Sequence, residues 1–391
     1  MKQGLLGYLY RLLTAAIVSA AALGRASAAD LPKATQGILN KVHLDSSVLA
    51  GLDAELAMPQ AWIDGAKGEP DLKILMSWDP AQFNALSAPF RERYPWIKVQ
   101  YSRTGTYDRN IKILVAYKDG RYLADIVGSS TAWFQLKAMN ALIDLRIMPN
   151  FDLLNPDMRD PDGAWVGQKF TYRCMAYNTD KIKKSDLPKT WDDLVTNPVW
   201  RNGVLAIPDV PDVWLGMLWT AKGPEWSTDF MTKLFNDVKP QLRKEGTNAV
   251  VGLTAVGETP AVVGAADYRV AQSAQKGAPV SWHCPEPIPA AVSQLMVLKG
   301  SPAPNRSLIF LDWFLSKEGQ IAQYATDFSL PVHKDMEKDP RFLPYPDEII
   351  GKQMAIRDEI KMQTEHAKMI AVYAPLWTNA GGAPPAKEAE E

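Results

Sequence analysis

Lys73-Ile74-Leu75-Met76-Ser77-Trp78-Asp79-Pro80 and Ala124-Asp125-Ile126-Val127-Gly128-Ser129-Ser130-Thr131 decide the fold. Each is a short apolar run that stops at small and polar residues suited to opening a helix, the signature of a buried strand followed by a βα turn. Between them, Phe83, Leu86 and Phe90 recur every three or four residues in a helix that Pro95 stops, and Ile97, Val99 and Tyr101 alternate as a strand. Ile111, Leu114 and Val115 mark a second helix, ending near Gly120. Two βαβ units in succession predict a parallel sheet with right-handed crossovers.

Working outward, Thr171 to Asn178 reads as a longer strand. A second α/β run follows, with strand Val204 to Ile207, a helix near Trp214 to Ala221 and strand Pro260 to Ala265. Strands Val280 to Cys284 and Gln294 to Leu298 come next. A strongly apolar helix from Asn305 to Tyr324 and a helical closing segment, Pro346 to Trp377, complete the pattern, and the Pro- and Glu-rich tail 381–391 is expected to be disordered. Upstream, 29–70 reads as an N-terminal helical extension, with Leu49, Leu52 and Leu56 at helical spacing before Pro59. Residues 1–28 have a basic start (Lys2, Arg11), an apolar stretch from Leu12 to Leu23 and Ala26-Ser27-Ala28, the pattern of a cleaved signal peptide. That apolar stretch is shorter than the roughly 20 residues a spanning helix needs.

The chain has 391 residues, 43 Lys plus Arg against 44 Asp plus Glu, and 47% hydrophobic residues, which excludes disorder, collagen-like repeats and coiled coil. A net charge of -1 leaves no basic face for nucleic acid, so a small ligand is expected. The length suits two domains with a cleft between them. Two cysteines exclude a disulfide scaffold or a Cys-rich metal site. Cys174 and Cys284 both fall on strands expected to cross between the domains. An oxidising compartment permits a bond between them, and two buried free thiols are the alternative.

The motifs for hydrolytic, metalloprotease, P-loop and dinucleotide chemistry are absent. Ser273-Ala274-Gln275-Lys276 fits SxxK without its companions, and His43, His283, His333 and His366 lack ligand spacing. Binding candidates come from strand ends, because loops at the carboxyl ends of an α/β sheet line its ligand crevice. In the first domain these are Trp78 and Asp79, then Ser129, Ser130 and Thr131. In the second they are Asp209 and Asp212 after one strand and Asp267 and Tyr268 after another. Asp79 and Ser130 are equally good helix caps. Trp165, Trp191, Trp200 and Trp313 read as packing residues.

Pro89-Phe90-Arg91-Glu92-Arg93-Tyr94-Pro95-Trp96, Gly120-Arg121-Tyr122-Leu123-Ala124-Asp125, Met175-Ala176-Tyr177-Asn178-Thr179, Gly257-Glu258-Thr259-Pro260, Lys276-Gly277-Ala278-Pro279 and Phe314-Leu315-Ser316-Lys317-Glu318-Gly319-Gln320 occur in an order that resembles the periplasmic solute-binding proteins of ABC importers, specifically the ferric-binding-protein group. The resemblance runs from about Asp71 to Tyr324. It implies an α/β protein with a two-lobed type II periplasmic binding fold, hinge-crossing strands and a central ligand cleft. Lobe 1 would comprise 71–173 and 286–380, and lobe 2 would comprise 174–285. Where ferric-binding relatives place a His, a Glu and a Tyr pair, this chain has the Trp78-Asp79-Pro80 loop, about Ser130, and Asp267-Tyr268.

The expectation is therefore a non-enzymatic, monomeric periplasmic receptor without a cofactor, which delivers a small charged organic solute to a membrane permease. A zwitterion fits best, its anionic end on Ser129 and Ser130 and its cationic end on Asp212 or Asp267. The alternative is ferric iron held by Asp267 and Tyr268. A secreted hydrolase or lyase on the same architecture is the remote third reading.

Overall fold

The computed structural model describes residues 31–105, 108–337 and 339–383. The signal-peptide segment and 384–391 of the tail lie outside them. Among these residues ten strands form the framework: β1 Leu72–Met76, β2 Val99–Arg103, β3 Ile126–Gly128, β4 Val166–Asn178, β5 Leu205–Pro208, β6 Gln241–Arg243, β7 Ala261–Ala266, β8 Val280–His283, β9 Ile288–Val297 and β10 Met354–Ile356. They are ordered β2-β1-β3-β9-β4-β7-β5-β6, with β10 on β9 and β8 on β4. β1 lies parallel to both β2 and β3, as the two opening βαβ units require. β3, β9 and β4 then run antiparallel, which makes the sheet mixed.

β4 is the element that joins the two halves. Its first part, through Tyr172, pairs with β9, and from Arg173 onward it pairs with β7 and, from Met175, with β8. Such a strand is buried on both faces in each half, which explains its apolar run. The register shifts between Cys174 and Met175 because β7 carries one extra residue, Gly264, at φ +79°. Glycine suits this bulge because a Cβ there would also sit 3.0 Å from the Trp214 ring. The chain returns through 284–287 from β8 to β9. Cys174 and Cys284 are joined by a disulfide across the two crossings, with Cα atoms 5.1 Å apart, so the question their positions raised resolves to the bond.

Several elements differ from the reading of the sequence. The apolar stretch Asn305 to Tyr324 is two helices, Pro304–Leu315 and Lys317–Asp327, because the Ser316 side chain accepts from the Gly319 N–H and caps the second. The closing segment is a short helix Pro346–Ile349, then β10, then a helix Glu359–Asn379. Gly351 at φ +82° makes the break. That last helix leaves the first lobe and packs on helices Leu215–Lys222 and Pro224–Lys233 of the second, with Tyr373 and Trp377 against Phe235. Its amphipathic pattern specified a buried face, and the matching surface belongs to the other lobe. Within the tail, Gly381 and Gly382 turn back so that the Trp377 indole donates to the Ala383 carbonyl at 2.6 Å. Helices Lys33–Lys41, Leu52–Glu55 and Gln60–Ala66 lie against helices Lys317–Asp327 and Pro304–Leu315.

Candidate functional site

A cleft of about 220 Å³ opens where the two halves meet. Its first wall is the loop after β3, carrying Ser129, Ser130 and Thr131. Its floor is Arg173 of β4 with Ala291 to Gln294 of β9, and Val213 and Met217 face it from the second half. Arg357 and Glu359, at the junction of β10 and the last helix, close one side.

The serine loop is held from behind. Ser129 sits at φ +52°, donates to Gln168 Oε1 at 2.7 Å and accepts from the Ser77 hydroxyl at 3.1 Å. Arg109 Nε donates to the Ser129 carbonyl at 3.0 Å, and its Nη1 donates to the Thr104 carbonyl. Ser130 Oγ lies 2.8 Å from both the Arg109 carbonyl and Asn110 Oδ1, and accepts from the Ala132 N–H. Ser130 is therefore a buried cap that shapes the wall. Thr131 is exposed toward the cleft.

The floor carries the charge. Arg173 is half-buried on β4, and its guanidinium makes no hydrogen bond or ion pair among the described residues. Four residues earlier on the same strand, the Lys169 ammonium lies 3.9 Å from Asp327 Oδ2 and 4.6 Å from the Tyr268 ring centroid, a cation-π contact. Arg357 donates to the Asp212 carbonyl at 3.2 Å and pairs with Glu359 at 2.9 Å.

The predicted carboxylate-rich crevice does not form. Trp78 is 4% exposed, packs against Phe83 and Phe314, and donates to Asp327 Oδ2 at 2.9 Å, so it is a core residue. Asp79 is a surface N-cap in a capping box with Gln82, 3.4 Å from Arg103. Asp212 is engaged by His366 of the last helix at 2.9 Å. Asp209 is half-buried beside Tyr373 of that helix, and burial raises its pKa. Asp267 is fully buried and accepts weakly from the Tyr172 N–H at 3.4 Å. Desolvation pushes its pKa up to about 7. No three His, Cys, Asp or Glu residues among those described are placed to hold a metal ion. Of the nine residues expected at the site, the cleft brings together Ser129, Ser130 and Thr131. Arg173, Gln294, Arg357 and Glu359 escaped the sequence reading. For Arg173 there was a signal: it is the one charged residue in the stretch Thr171 to Asn178 that reads as a strand.

Beside the cleft, and sharing Val292, Gln294, Arg357 and Glu359 with it, lies a larger cavity of about 570 Å³. Trp133 and Phe134 of helix Trp133–Ala138, the loop 156–165 and the start of the last helix enclose it. Trp165, expected only to pack, meets Trp133 edge-on in its wall at 6.0 Å.

Residues 77–321 match the family described as bacterial extracellular solute-binding protein. In three dimensions the chain is similar to iron-bound HitA from Pseudomonas aeruginosa, with a TM-score of 0.65 and 21% identity over 78% of this chain and 99% of that one. It is similar to a ferric binding protein from Campylobacter jejuni (TM-score 0.63, 15% identity, 78% and 99% covered). It is also similar to the periplasmic binding protein AfuA from Actinobacillus pleuropneumoniae with fructose-6-phosphate bound (TM-score 0.57, 19% identity, 79% and 98% covered). No curated protein matches the chain in sequence.

Proposed function

Because this chain belongs to the family of bacterial extracellular solute-binding proteins, receptors that pass a solute to an ABC importer, we propose that its solute is a small organic molecule carrying a carboxylate or phosphate. The observation that carries this reading is Arg173. A guanidinium that is half-buried and without a hydrogen-bonded partner, on the strand that joins the lobes, offers a planar fork of donors matched to a bidentate oxyanion. The Thr131 hydroxyl, with Gln294 beside it, adds neutral polar groups at the same cleft. Members of this family are binding receptors, so no catalytic step is assigned. Their place is outside the cytoplasmic membrane, and among the described residues no helix is long and apolar enough to cross one.

Closure of the two lobes about β4 and the β8–β9 return would bring Val213 and Met217 down on the solute, an equilibrium that only the bound oxyanion makes favourable. Iron is the weaker reading. Tyr268 faces the Lys169 ammonium, which repels a metal cation, and Asp267 has no exposed surface.

Titration calorimetry with inorganic phosphate, a phosphate monoester and a dicarboxylate tests the anion. At least one should bind, and Arg173→Ala should weaken it by roughly tenfold or more, the value of a charged hydrogen-bonded pair. Binding unchanged in Arg173→Ala refutes the reading. A visible charge-transfer band on adding ferric citrate to metal-free protein, lost in Tyr268→Phe, would install iron instead.

A further inference from the structure

We propose that the larger cavity beside the cleft holds an organic ammonium group, so that the solute is a zwitterion whose cationic end lies against Trp133, Phe134 and Trp165. This deepens the anion reading by taking the cavity as the continuation of the same solute site.

Two features of the cavity point the same way. Its size, about 570 Å³, is far beyond a metal ion or a lone oxyanion and falls in the range of organic-ligand pockets. Its wall is aromatic: Trp133, Phe134 and Trp165 all line it, and Trp133 meets Phe134 at 5.7 Å and Trp165 at 6.0 Å, both near edge-on.

Charge then selects the cation. The cavity's own cations are already committed. Lys137 is paired with Asp160 at 2.9 Å and Asp162 at 2.8 Å, Arg159 with Asp152 while lying over the Phe151 ring, and Arg357 with Glu359. Asp157 lines the cavity, is exposed, and makes no ion pair among the described residues. An ammonium bearing alkyl groups satisfies both the ring faces and the spare carboxylate, and it excludes a second anionic end. The shared residues Val292 and Gln294 set the two ends side by side, with the oxyanion at Arg173 and the ammonium among the indoles.

The test uses the whole exported chain and three probes: tetramethylammonium, inorganic phosphate and phosphocholine, each followed by titration calorimetry. Tetramethylammonium should bind by itself, and Phe134→Leu and Asp157→Asn should each weaken it by about threefold or more, as loss of one ring face or one charge implies. Trp133→Leu should weaken it further. Because that ring is also core, an unchanged melting temperature for the exposed Asp157→Asn variant keeps the result clear of misfolding. Phosphocholine should bind at least tenfold tighter than phosphate, and Arg173→Ala should affect phosphate and phosphocholine but leave tetramethylammonium alone.

Tetramethylammonium that fails to bind, or that binds equally well to Asp157→Asn and Phe134→Leu, overturns the inference even if phosphate still depends on Arg173. Tetramethylammonium sensitive to those variants, with phosphate indifferent to Arg173→Ala, refutes the anion reading and leaves the ammonium site standing.

Discussion

Replacing Asp267 by Asn should stabilise the protein at pH 8. Asp267 opens the helix Asp267–Gln275 yet is wholly buried. Desolvation lifts its carboxyl from 3.8 to about 7, against the opposing pull of the Tyr268 and Tyr172 N–H groups and of Arg173 and Lys169. With the folded pKa raised, the folded state keeps a proton that the unfolded chain has already released across this interval. Stability is therefore fullest below the unfolded value, falls as pH rises from about 4 to about 7, and stays low above that. At ~1.4 kcal/mol per pKa unit the full penalty at pH 8 is about 4 kcal/mol. Asn removes the ionisation but puts an amide where Asp267 Oδ2 has no partner, which costs back about 1–3 kcal/mol. The expected net gain at pH 8 is about 1–3 kcal/mol, vanishing or reversing at pH 4. Urea unfolding followed by circular dichroism at both pH values measures it. A change of the same sign and size at pH 4 and pH 8 would refute a buried, proton-holding carboxyl.

Replacing Cys174 and Cys284 together by Ala should lower stability by up to about 4–5 kcal/mol, because the bond closes a loop spanning 110 positions. Equilibrium denaturation of the double variant against the oxidised protein checks this, and equal midpoints would sink it. Glu348→Gln should destabilise at pH 7 by about 1–2 kcal/mol once solvent screening is allowed for. Burial works to raise the Glu348 pKa, but His283 and Lys352 outweigh it and hold the carboxyl at about 2. Its contribution is complete above 4.5 and is lost as pH falls from there toward 2, so melting curves of the two proteins should converge on acidification.

The two opening βαβ units were legible because their apolar runs and helix starts repeat at short range, and the loops after β1 and β3 fell where those runs end. What could not be read was the side of the loop on which a residue lands. Trp78 and Ser130 hold matching positions after their strands, yet the indole turns under Phe314 to reach Asp327 while Ser130 lines the cleft. Asp267 likewise sits at a strand end, but as the first residue of its helix it faces inward. Arg173 was passed over for the opposite reason: it lies within a strand, where crevice logic does not look. The last helix shows a third kind of blindness, since its buried stripe of Met362, Met369, Tyr373 and Trp377 says that it packs and not on which lobe. That placement carries Arg357 and Glu359 to the site and His366 to Asp212.

The Cys174–Cys284 bond has a consequence for how this protein would appear after limited digestion. Everything from Met175 to His283 hangs between the two sulfurs as one covalent ring, entered and left at the same point. A protease that cuts once inside it, at exposed Lys183 or Lys184 for example, opens the ring without freeing either fragment. On a non-reducing gel the nicked molecule should keep its full mass, and two bands should part only when thiol is added. A cut in the first lobe, at Arg121 for instance, releases pieces that no sulfur holds.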